Sequence, residues 1–120
     1  MLYLLLISHD RSRRDELDEQ ARQDLARRYI AFRDQLKERG ALRDAERLSR
    51  PETVFHVRLT NGETQILEGP AAPAEEAPTG LLLVECADEA EALELAAQVP
   101  GAEIGSVEIR PVWPLSQDLA

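Results

Sequence analysis

Leu2-Tyr3-Leu4-Leu5-Leu6-Ile7 is an unbroken apolar run closed by Ser8-His9-Asp10. Such a run predicts a strand buried on both faces, since neither alternating set of side chains is polar. From Asp15 to Arg39 the period changes. Leu17, Ala21, Leu25, Tyr29, Phe32 and Leu36 recur every three or four residues, which predicts one long helix with a single apolar stripe. Ser12 or Asp10 is placed to cap its start, and Asp15, Glu16, Asp18 and Glu19 suit the positive end of its dipole. Lys37 and Arg39 suit the other end, and Gly40 supplies a left-handed stop. Ala41 to Leu48 predicts a short, irregular edge strand that Pro51 breaks. Thr53 to Leu59 alternates, with Phe55, Val57 and Leu59 on one face and Val54, His56 and Arg58 on the other. Asn61-Gly62 marks a tight hairpin, and Thr64 to Leu67 returns as the partner strand.

Glu68 to Thr79 reads as a loop, because Pro70, Pro73 and Pro78 each remove a ladder donor. Leu81 to Cys86 predicts a second buried strand. Asp88 is set to cap a helix through Gln98 with Ala90, Leu93 and Ala97 on one stripe, and Pro100-Gly101 ends it. In the last strand, Ser106 to Val112, Val107 and Ile109 face one way and Ser106, Glu108 and Arg110 the other. The sum is an α+β fold of the ferredoxin-like plan, two helices packed on a largely antiparallel sheet. The face without helices needs a cover. A second copy of the same sheet would provide one, so a homodimer forming a dimeric α+β barrel is expected. Residues 1–113 form the single domain and 114–120 a C-terminal tail.

Composition narrows the partners. The chain has 120 residues and a net charge of −9, with 4% aromatic content. A core built of Leu, Val, Ile and Ala follows, and a basic face for nucleic acid or an anionic membrane is excluded. All the cations except Arg110 fall in the first half, an asymmetry that fits i,i+4 pairing on one helix and, in a dimer, is able to steer self-association. The lone cysteine, Cys86, rules out an internal disulfide and reads as a small buried hydrophobe, which fits a cytoplasmic protein. The opening apolar run is too short to span a bilayer and lacks a basic flank or cleavage site, so it is not a signal peptide.

The pieces together resemble a known family. The opening strand, Tyr29-Ile30-Ala31-Phe32 with Leu36, Gly40 and Leu42, and above all Gly105-Ser106-Val107-Glu108-Ile109-Arg110-Pro111-Val112 look like the YCII-related proteins of the DGPF-domain type. Members typically read Asp-Gly-Pro-Phe where this chain reads Glu68-Gly69-Pro70-Ala71, which keeps a carboxylate and the turn but drops the aromatic. The cation-bearing segment that follows becomes Ala72-Pro73-Ala74-Glu75-Glu76-Ala77, and the usual Gly-Gly becomes Thr79-Gly80. The resemblance implies a small homodimer of the ferredoxin-like barrel type. It also implies a sigma-factor link, by analogy with members found beside or fused to such modules. Related members suspected of catalysis carry a His and an Asp in a cleft; at the matching helix position this chain has Tyr29.

Candidate ligand-binding residues are therefore Glu68, Arg110, Tyr29 and His9. Glu68 and Arg110 are able to orient a small polar ligand, Arg through its bidentate fork, with Glu108 as the competing partner of Arg110. His9-Asp10 invites a general-base reading, against which stands capping by Asp10. His56, on a strand face, could enter an interface or a cleft. Two distant histidines make no metal site, and no phosphate loop, nucleophile elbow or dinucleotide fingerprint occurs, so no metal and no cofactor are expected. The function expected is binding of a small molecule or a protein partner. The alternative is a small cofactor-independent enzyme of isomerase, lyase or hydrolase type working through a cleft acid/base pair.

Overall fold

The computed structural model describes residues 1–49, 53–71 and 77–114. The chain runs β1 (Leu2–His9), α1 (Arg11–Asp15), α2 (Glu19–Glu38), β2 (Leu42–Arg47), β3 (Phe55–Thr60), β4 (Glu63–Glu68), β5 (Pro78–Glu85), α3 (Glu89–Gln98), a 3₁₀ turn (Pro100–Ile104) and β6 (Gly105–Pro111). Four strands form one antiparallel sheet in the order β2-β5-β1-β6. That order splits each βαβ unit around a third strand, the α+β plan the pattern predicts. The expected break at Pro51, residues 72–76 of the proline-rich segment and residues 115–120 of the tail lie outside the described residues.

Four expectations need correction. The hairpin does not join the main sheet: β3 and β4 pair only with each other as a separate two-stranded ribbon. Its Asn61-Gly62 turn is nonetheless the one expected, with φ of 52° and 80°. The first helix is broken. Asp10 caps the five-residue α1 by accepting from the Ser12 and Arg13 amides, and Asp18 caps α2 by accepting from the Ala21 amide at 2.8 Å. Two cap-forming aspartates eight positions apart start two helices, so Leu17 falls in the turn between them and the rest of the stripe stays on α2. In α3 the buried residues are Ala92, Leu95 and Ala96, while Leu93 is half exposed. Ala and Leu occur on both sides of this helix, and packing against the sheet selects which side turns inward. The proline segment also contributes strand at both ends: Glu68 closes β4 and Pro78 opens β5, the strand position where a missing amide costs least.

The core lies between the sheet and α2 and α3. Tyr3, Leu5 and Ile7 of β1 meet Leu82 and Val84 of β5, capped by Phe32, Leu36 and Leu95. Leu5, Leu36, Leu82, Val84 and Val99 are fully buried, each contributing about 1.5–3 kcal/mol of apolar burial. Cys86, 2% exposed, belongs to this core, and burial pushes its thiol pKa up. Among the described residues no helix covers the opposite sheet face. There Leu4 sits between Leu83 and Arg110, and Leu6 between Leu81 and Glu108, all only partly covered or exposed.

Asp18→Ala is expected to lose about 1 kcal/mol by urea denaturation, because the Ala21 amide in the first turn of α2 loses its acceptor. A loss under about 0.3 kcal/mol would show that α2 is held by packing alone.

Candidate functional site

At one end of the sheet a cleft of about 670 Å³ opens between α1, α2, the end of β2 and the start of β5. His9, the last residue of β1, stands in its wall. Asp10 then turns the chain into α1, which brings Arg11 and Arg14, one helical turn apart, to the same cleft. Arg22, Tyr29 and Arg33 enter from α2 at spacings of seven and four, along one edge of its apolar stripe. Arg47 and Ser49 come from the end of β2, and Thr79 and Gly80 from β5. Asp15 and Glu46 are the acidic residues of the lining. Arginines thus predominate in the cleft of a chain whose net charge is −9.

His9 is the unusual member. Its Nδ1 is enclosed and has no hydrogen-bond partner, the sole buried side-chain nitrogen or oxygen in that state among the described residues. Its other edge lies against Gly101, where a Cβ would stand 2.7 Å from Nε2 and 3.1 Å from Cγ2 of Ile7. A side chain there would displace the ring, a constraint of space and not of backbone angle. Burial, then the positive charges of Arg14 and Arg47, hold the imidazole below its ordinary pKa and favour the neutral ring. A neutral imidazole is able to accept a proton. Tyr29 is half-buried; burial raises its phenol pKa while Arg33 pulls the other way, so it stays a hydroxyl donor at neutral pH.

The four residues singled out in the sequence separate into two groups. His9 and Tyr29 line one cleft. Glu68 and Arg110 do not. Glu68 ends β4, paired with Phe55 in the detached ribbon, and Arg110 lies on the helix-free face of β6. Arg110 donates from Nε to Glu108 at 2.7 Å, an exposed pair on one strand face, so Glu108 and not Glu68 is its partner. Asp10 accepts from the Ser12 hydroxyl and the Ser12 and Arg13 amides, bonds that hold its carboxyl below the usual range and mark it as a helix cap. His56 is also a structural residue, with Nδ1 2.8 Å from the Gly69 carbonyl, closing the base of the ribbon. Sequence reasoning missed Arg11, Arg14, Arg33, Arg47 and Gly101. The basic first half was visible, but spacing alone does not bring β2 beside α1.

Among the described residues no three His, Cys, Asp or Glu side chains gather as a metal site, and no helix is long and apolar enough to cross a membrane. The YCII-related domain matches residues 1–116, and the chain belongs to that family. It is 33% identical over 121 residues to an uncharacterized protein of Rhizobium meliloti (strain 1021), covering 93% of this chain and 92% of that one. Among solved structures it resembles 5-chloro-2-hydroxyhydroquinone dehydrochlorinase of Burkholderia phenoliruptrix AC1100 in complex with 2,5-dihydroxybenzoquinone. That likeness has a TM-score of 0.54 and 13% identity and covers 94% of both chains; it is a likeness of fold.

Proposed function

We propose that this protein binds a small anionic molecule in the cleft beside His9, and that it does so as a dimer whose two helix-free sheet faces close a barrel. The observation that carries the reading is the arginine-rich lining around a histidine ring with an unsatisfied, enclosed nitrogen. The volume falls within the ~300–1,000 Å³ usual for small-molecule sites. Guanidinium groups pair with carboxylate or phenolate oxygens through two parallel hydrogen bonds, which suits a ligand bearing such a group. The dimer is supported by the partly covered leucines of the open face.

A second reading, a cofactor-independent isomerase, lyase or hydrolase, is favoured by the state of His9. With the imidazole neutral, His9 takes a proton from a substrate whose negative charge the arginines hold. Tyr29 donates a hydrogen bond to the oxygen where charge builds up. The dehydrochlorinase of like fold is compatible with this reading.

Thermal shift with matched anionic and neutral compounds tests the proposal. Carboxylates or phenolates are expected to stabilise the protein, by about 2.7 kcal/mol at a hundred times their Kd, and their neutral isosteres to leave it unchanged. Arg33→Ala and Arg47→Ala should each abolish the shift. Equal shifts with neutral analogues, or none with any anion, would sink the anionic-ligand reading.

A further inference from the structure

The β3–β4 ribbon carries an apolar face that nothing among the described residues covers. Phe55, Val57 and Leu59 of β3 and Ile66 of β4 share that face, with Ile66 directly opposite Val57. They are 63%, 63%, 72% and 68% exposed. At roughly 100–150 Å² each the four side chains present on the order of 400–600 Å² in one patch, at the upper end of what a monomer leaves bare. A lone two-stranded hairpin is marginal in water and needs a surface to pack on. The ribbon projects rather than folding back: the Cα radius of gyration is 16.3 Å, against about 13.6 Å for a compact chain of this length.

We propose that this ribbon is a dimerisation arm that packs its Phe55, Val57, Leu59 and Ile66 face on a second copy of this chain. The inference rests on the dimer reading above. Area favours a second copy. A stable interface takes about 800 Å² from each partner. The open-face leucines, already partly covered by their neighbours, fall well short of that, and the arm supplies much of the remainder. Symmetry favours it too. In an isologous pair one axis can bury both open faces and both arms in a single interface. The arm also springs from the wall of the cleft, since Leu48, Ser49 and Ala77 border both the cleft and the hollow at the root of β3. Docking would therefore fix one side of the ligand site.

Sedimentation of the full chain and of the double variant Val57→Lys, Ile66→Lys tests this. Both positions are exposed, so the fold should be kept, which circular dichroism and the Tm verify. The two lysines bring the net charge from −9 to −7, so any dissociation is not the result of added net repulsion. The expected result is a wild-type dimer and a variant whose dimer dissociation constant is at least about 100-fold weaker. A dimer weakened less than about threefold overturns the arm and leaves the barrel dimer standing. A monomeric wild type overturns both and leaves the arm to another protein. As an independent readout, a photoreactive residue at position 57 should yield covalent dimers of this chain; crosslinks confined to its own chain overturn the arm.

Discussion

Gly105→Ala is expected to destabilise the fold by about 3 kcal/mol and to lower Tm by about 10 °C. Gly105 opens β6 and pairs with His9 at the end of β1. A Cβ at this position would stand 1.9 Å from the Ser8 carbonyl oxygen and 2.7 Å from the His9 Cα. Both are backbone atoms of the central strand, and no rotamer change can move them. The φ of Gly105 is −173°, extended backbone open to any residue, so the requirement is purely one of space. Relief comes only by prising β6 from β1, which breaks ladder hydrogen bonds where the cleft is anchored. Urea or thermal denaturation measures the effect. A loss below about 1 kcal/mol would mean that this end of the sheet yields more easily than a close-packed ladder allows.

Gly101→Ala is expected to act on the site more than on the fold. Its Cβ would press on Nε2 of His9, the far end of a side chain, which can rotate away. Ligand-induced stabilisation should fall sharply while the unliganded Tm drops only slightly. If the protein catalyses proton transfer, His9→Gln should lower kcat/KM by about 10²–10⁴, the usual share of a positioned acid/base. Binding of an anion, held by the arginines, should be weakened much less. The pH dependence follows from burial first and the Arg14 and Arg47 charges second, which lower the folded-state pKa of His9 below the unfolded ~6.5. Above that value both states hold a neutral ring and the stability due to His9 is fully present. As the pH falls below it the unfolded chain takes up a proton first, so stability declines until the folded-state pKa is passed. His9→Gln should remove that acid-side decline. An identical pH–stability curve for wild type and variant would show that His9 titrates as it does in an unfolded chain.

Local structure was legible wherever one face of an element differs from the other. The α2 stripe from Ala21 to Leu36 and the inward Val107 and Ile109 of β6 follow directly from their periods. The Asn61-Gly62 turn follows from backbone sterics at positive φ. Legibility failed where two answers share one pattern. In α3 either stripe is apolar, and only the neighbouring sheet selects Ala92, Leu95 and Ala96. The alternation in β3 and the Asn61-Gly62 turn indicate the hairpin pair but not whether it joins the main sheet, and β3 and β4 form a separate ribbon. His9 and Tyr29 were both legible as candidates, yet nothing in their spacing places them in one cleft with Arg33 and Arg47.

The sequence by itself determined the strands of the main sheet, the Asp88 cap and the family, because these depend on contacts within a few residues and on an ordered set of short motifs; it did not determine the break between α1 and α2. Its Glu68-to-Arg110 link did not survive, since those residues lie in different sheets. Tertiary structure alone decided the strand order, the detached ribbon, the arginine-lined cleft and the close fit of Gly101 and Gly105 against β1. These depend on which distant segments meet, and that is settled by the packing of the whole core rather than by the pattern of any one element.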